Sequence, residues 1–402
     1  MEAEVKLKEV DEESLFRTQE VKVSSSKSFK TPIKAIDLGR IKQKYPINNS
    51  GKGFNEIFKR FSEKDIKNYN EDTLYSDKLK SFFNYQRNKI DTESQVTATF
   101  LEFSENRMPT DEEIEFLVST SYPNSDVATI PIVAYINKIG KIKDKAIRDN
   151  IVKDYEEYLK KVISEIEELN NKPIMGFIPE IAPKKIADII RIYQDNGIRL
   201  FAVDLNGSNP ISSSMRIFKV LKTLKKEKIL DESFIHGFNI GNRINKSEDI
   251  LPARDILGFG LGLNSIGDKH KRLIVTQYFL EFVESMKNSP KTTFRLFNKK
   301  DYGYWKAITL QKLKEEYPDD TKINIDHFSD EETDKPELQR LFNIEQLSIE
   351  AKNIREVIAK EPEESMTYLK GKKGVLPDDI SNIENIGKKL NKKDSKKEEE
   401  NT

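Results

Sequence analysis

Lys172–Gly207, KPIMGFIPEIAPKKIADIIRIYQDNGIRLFAVDLNG, reads as strand, polar loop, amphipathic helix and second strand, the composition of a parallel βαβ unit. The apolar run Ile174–Ile178 is short and ends at Pro179; Ile186, Ile189, Ile190 and Tyr193 then recur at helical spacing. Gly197 closes the helix, because glycine readily takes the left-handed conformation that helix C-termini commonly require. The second strand, Ile198–Val203, runs into Asp204-Leu205-Asn206-Gly207, polar groups at the C-terminal end of a buried strand. In parallel α/β folds that edge is where ligands bind.

The same rhythm extends outward from this unit. Upstream, a strand over Val127–Ile136 leads to a long helix with Ile151, Tyr155, Leu159, Val162, Ile166 and Leu169 on one face. Downstream come a helix over Ser212–Lys226, a strand over Phe234–Ile240, a strand-like DILGFGLGL and a helix over Leu273–Met286. Alternating strands and helices of this size predict an α/β fold, and we expect a TIM-like (β/α)8 barrel with a C-terminal helical extension. An open doubly wound sheet has the same rhythm, but no strand is followed by a GxGxxG fingerprint or a GxxxxGK[ST] phosphate loop. Earlier in the chain, PIKAIDL and VTATFLEF are short apolar runs, while FNEIFKRF and DEEIEFL read as polar helices. The expected organisation is a flexible tail over 1–27, a barrel over 28–310, a helical extension over 311–375 and a charged disordered tail over 376–402.

Composition excludes several classes. The 402 residues include no cysteine, so disulfides, thiolate metal sites and cysteine nucleophiles are ruled out. Lys and Arg total 68, as do Asp and Glu, so any anion-binding surface must be local. No apolar run approaches transmembrane length and the N-terminus has no apolar signal core, which predicts a cytoplasmic protein without membrane contact. The three histidines, His236, His270 and His327, lack HxH or HxxxH spacing, so no metal site and no cofactor is expected.

Several segments together resemble the tRNA-guanine transglycosylase superfamily, the base-exchange enzymes of queuosine and archaeosine synthesis, with a DNA-modifying branch. GFIPEIAP, the helix ending at Asn196-Gly197 and LFAVDLNGSNP follow the order of the family's FGxVQGG segment, helix and YAIGGLxVGE strand. SDVATIPIV with Asp126, FIHGFNIG and SFKTPIKAIDL are looser matches. RLFNIEQLSIEAKNIREVI resembles the closing helix, with Leu347, Ala351, Ile354 and Ile358 as its buried stripe and Asn343 as N-cap. The departures are large: the family's zinc cysteines are absent, Phe342 stands where its histidine would, and no D-S-G-G-F-Q string occurs. The nearest match to its nucleophile strand is Arg254-Asp255-Ile256-Leu257-Gly258, which keeps the first aspartate as Asp255 and replaces the nucleophile by Gly258. The resemblance implies base exchange at a guanine in tRNA or DNA, a purine or deazapurine base as ligand, and a possible homo- or hetero-dimer.

Base exchange needs a carboxylate nucleophile, a second carboxyl for proton transfer and polar groups that read the base edge. Asp204, Asp268 and Asp255 are the candidate catalytic residues. Glu180, Asn206, Gly207, Asn239, Asn264, Ser265 and His270 are candidates for substrate binding. Lys269, Lys271 and Arg272 introduce a helix after a glycine-rich strand and could hold a phosphate. Arg295, Tyr302 and Trp305 form a basic aromatic segment able to stack bases, or a small aromatic core packed on the barrel. Asp126 reads as an N-terminal-edge or turn residue, and Arg216, Lys219, Lys222, Lys225 and Lys226 as the solvated face of an outer helix.

Three functions are therefore open: a base-exchange enzyme, a non-catalytic nucleic-acid-binding or partner subunit, and a barrel enzyme for a small phosphorylated substrate. Two carboxylates among Asp204, Glu180, Asp255 and Asp268 meeting in one pocket would favour an enzyme.

Overall fold

The computed structural model describes residues 2–42, 52–169, 172–242, 248–270, 294–307, 310–329 and 334–392. Three N-terminal strands come first: β1 (Glu4–Val10), β2 (Arg17–Lys22) and β3 (Ser28–Thr31), an antiparallel sheet. Then follow β4 (Ile33–Lys34), β5 (Ile36–Asp37), β6 (Phe54–Phe61), α1 (Glu63–Glu71), α2 (Thr73–Arg87), β7 (Val96–Phe103) and α3 (Asp111–Ser121). The central part holds β8 (Ala128–Thr129), β9 (Ile132–Val133), α4 (Lys145–Leu169), β10 (Ile174–Ile178), α5 (Pro183–Asp195), β11 (Leu200–Asp204), α6 (Ser214–Lys226) and β12 (Phe234–Phe238). The remainder is β13 (Ile250–Pro252), β14 (Ser265–Ile266), β15 (Phe294–Asn298), β16 (Gly303–Ala307), α7 (Leu310–Glu316), α8 (Lys335–Lys360), α9 (Glu364–Lys370) and α10 (Pro377–Asn391).

The strand pairings close into a ring. One parallel sheet runs β4-β14-β12-β11-β10-β8 and a second runs β5-β6-β7-β9. β4 and β5 are consecutive pieces of one strand separated by Ala35, and β8 and β9 are pieces of another, joined to β7 through an Ala98–Val127 bridge. The two sheets therefore share both ends, giving eight parallel strands in chain order, the expected (β/α) barrel.

The βαβ unit forms as its sequence predicts. Ile186, Ile189, Ile190 and Tyr193 are buried, and Gly197 takes a φ of +68°. The Tyr193 hydroxyl fixes the helix to its strand, accepting from the Phe177 N–H (3.1 Å) and donating to the Phe177 carbonyl (2.8 Å).

Other segments depart from expectation. FNEIFKRF is strand β6, not a helix: Phe54, Glu56 and Phe58 alternate toward the barrel axis, while Ile57 and Phe61 face the outer helices. DILGFGLGL is a fully buried 3-10 turn over Ile256–Leu261, not a strand. The Val127–Ile136 strand is broken into β8 and β9. The helix expected over Leu273–Met286 lies outside the described residues.

Segments within both expected tails form regular elements, while residues 393–402 lie outside the described residues. Residues 4–22 form β1 and β2, whose sheet seals the N-terminal end of the barrel: Phe29 packs 5.3 Å from both Phe54 and Phe234, and the Gln19 amide donates to the Ser233 carbonyl (3.1 Å). Pro377–Asn391 is helix α10, fastened by Lys225 to the Leu390 carbonyl (2.9 Å), by Asn391 to the Glu12 carbonyl (2.6 Å) and by Arg254 to the buried Asp379 (2.8 Å). In α8 the stripe Leu347, Ala351, Ile354 and Ile358 is buried as predicted. Its N-cap is Asp334 rather than Asn343, which sits within the helix and bonds the Phe297 N–H (2.8 Å) and the Arg295 carbonyl (2.9 Å) of β15. Among the described residues no helix is long and apolar enough to cross a membrane.

Candidate functional site

The barrel interior is filled in layers by alternate side chains of β6 and β12. Phe54 and Phe234 lie lowest, Glu56 and His236 above them, and Phe58 and Phe238 at the mouth, where His270 stacks between the two rings at 4.5 and 4.8 Å. Glu56 is wholly buried and bridges both histidines, 2.7 Å from His270 Nε2 and 3.3 Å from His236 Nε2. His236 Nδ1 lies 3.2 Å from Ser265 Oγ, and His270 Nδ1 lies 3.4 Å from Asp37. Burial opposes the Glu56 charge, yet the two histidines hold its carboxyl well below the usual range. Burial also works against a charged His270, but Glu56 and Asp37 raise its pKa above the ordinary value. Asp37 itself is pushed up to about 6 by burial.

This chain of buried groups occupies the axis of the barrel and draws in residues of the expected substrate loop. His270 faces inward and is buried. Ser265 is buried against His236, and the buried Asn264 side chain accepts from the Ile235 N–H (2.7 Å). Asp268 pairs with the buried Lys34 (2.8 Å), and the Lys269 carbonyl accepts from Arg40. Lys271 and Arg272 lie outside the described residues.

Of Arg295, Tyr302 and Trp305, Tyr302 alone is buried in a small aromatic core, its ring 6.1 Å from Phe297; Arg295 and Trp305 are half-buried on the β15-β16 sheet. Tyr302 is buried with its hydroxyl on Glu350 (2.7 Å), Arg295 donates to the Glu248 and Asp249 carbonyls, and Trp305 pairs with Leu296 and Ile250 in the β13-β16-β15 sheet. Asp126 accepts from the Thr97 N–H (2.9 Å) and pairs with Lys27 (2.7 Å), which places it at an N-terminal strand edge as its sequence position indicated.

Asp204, at the end of β11, is the hub of a second polar network. Its carboxylate accepts from the Asn137 amide (2.7 Å), the Asn206 N–H (2.7 Å) and the Asn239 amide (3.2 Å). Burial pushes its pKa up against the pull of these donors and of Arg216. Asn206 and Asn239 have φ of +50° and +56°, a left-handed geometry that asparagine tolerates better than most residues, and Gly207 follows at +75°. Asn137 also accepts from the Glu180 N–H (2.8 Å), and the Asn206 amide bonds the Glu180 carboxylate, which pairs with Arg216 at 2.7 Å. With only 2 % of its surface exposed, Asp204 positions the groups around it instead of presenting its own carboxylate. Asp204→Asn, which sets an amide against three donors, is expected to cost about 1–3 kcal/mol. Urea unfolding measures this, and unchanged stability would contradict the positioning role.

Glu180, Asn137, Asn206 and Arg216 line a groove of about 1100 Å³ over the C-terminal ends of β9, β10 and β11. Lys145 and Arg148 reach it from α4, Lys184 and Lys185 from α5, and Lys219 and Lys222 join Arg216 from α6. These seven cations face only two acids there, Asp149 and Glu180. Neither α5 nor α6 has a side-chain cap or an acidic residue in its first turn, so the partial positive charge at both N-termini adds to the field.

The sequence reading missed this use of Arg216, Lys219 and Lys222. Their recurrence every three residues marks one helix face, and the missing first-turn acid after a strand-end Asp-Leu-Asn-Gly was the available signal. Asp255 and Asp268 meet elsewhere, in a pocket of about 310 Å³ beside β14 and α8. The four candidate carboxylates thus divide into two pairs. Among the described residues no group of three or more His, Asp or Glu side chains is arranged to hold a metal ion.

No family model and no curated protein matches the chain. Solved structures similar to it include an enolase protein from the environmental genome shotgun sequencing of the Sargasso Sea, at 10% identity and a TM-score of 0.32, covering 62% of this chain and 57% of that one. A dihydrodipicolinate synthetase-like protein from Pseudomonas aeruginosa matches at 8% identity and a TM-score of 0.33, over 89% of this chain and 98% of that one. Neither is a tRNA-guanine transglycosylase. The transglycosylase resemblance does not stand. The structure adds the physical reason: Arg254–Gly258 runs into the 3-10 turn and is not a barrel strand, so Asp255 cannot take the register that the resemblance assigned to it.

Proposed function

We propose that the protein is a barrel enzyme acting on a small phosphate-bearing substrate, with the phosphate held in the groove above β9, β10 and β11. The observation that carries this reading is the sevenfold cationic lining opposed by two acids at the barrel's C-terminal mouth, into which two uncapped helix N-termini open. Active sites of such barrels sit on that face, and oriented N–H groups with flanking cations are the chemistry that recognises phosphate.

Glu180 is the proton-transfer group of this reading. It is the one groove carboxylate fixed on two sides, by Arg216 and by Asn206, and 43 % of its side chain is exposed to the groove. The phosphate site is thereby moved from the Lys269 loop, where the sequence pointed, to the loops after β10 and β11.

Calorimetric titration with inorganic phosphate and a panel of sugar phosphates tests the reading. Binding that weakens with added salt and drops about tenfold in Arg216→Ala and again in Lys185→Ala is expected, a factor of ten being about 1.4 kcal/mol. Absence of binding, or binding indifferent to both substitutions, would overturn it.

A further inference from the structure

The pocket between β14, β16 and α8 differs from the groove in its charge. Two cations, Lys34 and Arg340, and two carboxylates, Asp255 and Asp268, stand on its walls, with Ile240, Ile266 and Leu347 supplying an apolar side. Only one pair of these charges neutralises itself. Lys34, whose side chain is 3 % exposed, pairs with Asp268 Oδ1 at 2.8 Å and donates also to the Ala35 carbonyl at 2.7 Å.

Asp255 is bonded by the Tyr304 hydroxyl and Arg340 donates to the Arg40 carbonyl, but among the described residues neither has an ion-pair partner within 4 Å. Asp255 Oδ1 and Asp268 Oδ2 are moreover buried without a hydrogen-bond partner among the described residues. Leaving such acceptors and a half-buried carboxylate unpaired is unfavourable, and a bound donor relieves it.

We propose that this pocket binds a small zwitterion of the α-amino acid class. The ammonium group lies against Asp255 and Asp268, the carboxylate against Arg340 and the remaining donor of Lys34, and an aliphatic side chain against Ile240, Ile266 and Leu347. A simple anion meets two carboxylates there, and a simple cation meets Lys34 and Arg340. Only a ligand bearing both charges satisfies all four groups. The inference rests on different residues from the phosphate groove and is independent of it.

The test uses the full chain and ligand-observed NMR with the common amino acids at millimolar concentration. For the best binder, the amine and the carboxylic acid that each lack one charged group are run beside it; for valine these are isobutylamine and isovalerate. The expected result is saturable binding of at least one aliphatic amino acid, weakened about tenfold or more in both single-charge analogues. Asp255→Asn and Arg340→Gln are each expected to lose that binding while keeping phosphate binding in the groove. No amino acid binding, equal binding of either analogue, or binding unaffected in Arg340→Gln would overturn the proposal. Arg340→Gln is the decisive variant because Arg340 reaches the pocket from the helix surface, so its loss leaves the barrel core intact.

Discussion

Glu56→Ala is expected to lower stability by about 3–5 kcal/mol, the cost of breaking a buried ionic contact and leaving its partners behind. Glu56 has no solvent exposure and holds His270 at 2.7 Å and His236 at 3.3 Å inside a packed aromatic barrel. Urea unfolding should show the loss as a shifted midpoint with little change in slope.

The pH profile carries a sign that distinguishes this cause from a simple cavity. His270 has a folded pKa raised above 6.5, so its contribution is present below 6.5 and is lost as pH rises through the folded value. Glu56 is held below 4.5, so its contribution is present above 4.5 and is lost as pH falls. Asp37 works the other way. Its carboxyl is pushed up from 3.8 to about 6, so stability declines as pH rises across that interval. Wild type should therefore weaken on the alkaline side as His270 loses its proton, and Glu56→Ala should lack that limb. An alkaline limb of equal size in both proteins would show that Glu56 does not hold the His270 charge.

Gly267→Ala is the second large effect. A Cβ at this position would fall on the Glu56 carboxylate and 2.9 Å from His236 Cε1, both in the rigid middle layer of the barrel. Neither neighbour can yield without breaking the Glu56–histidine contacts, so about 1–3 kcal/mol of overpacking is expected. Thermal unfolding checks this. Near-neutral behaviour would mean that Glu56 is free to move, which contradicts its bridging role.

The barrel was legible where single elements bury one face. The segment Lys172–Gly207 announced its strands and helix because its apolar positions fall at strand and helix spacing, and Gly197 punctuates them. β6 was misread because a barrel strand is buried on both sides: FNEIFKRF carries Glu56 and Arg60 on its inward face, and its charges look like those of a helix until the histidines that neutralise Glu56 and the Glu102 that pairs with Arg60 are known. The N-terminal sheet was hidden for a related reason. In EVKLKEV only Val5 is buried and the charged residues point to solvent, so composition resembles that of a flexible tail.

The site was half legible. Asp204, Glu180 and Asn206 were picked out from their place after strands, and the structure joins them through hydrogen bonds. The inward turn of His270, Asn264 and Ser265 was not legible, because a polar residue just beyond a strand can turn inward to meet a buried charge, and Glu56, 214 positions from His270, was not suspected as that charge. Arg216, Lys219 and Lys222 were visible as a charged face, but only the curvature of the barrel brings that face to α4 and α5.

The phosphate groove is tested most directly by locating the ligand. Crystals grown with tungstate, a heavy phosphate analogue, would give anomalous density at the bound site. That density is expected between the N-termini of α5 and α6, within reach of Arg216 and Lys185. Density beside Lys269, or none in the groove at saturating tungstate, would contradict it.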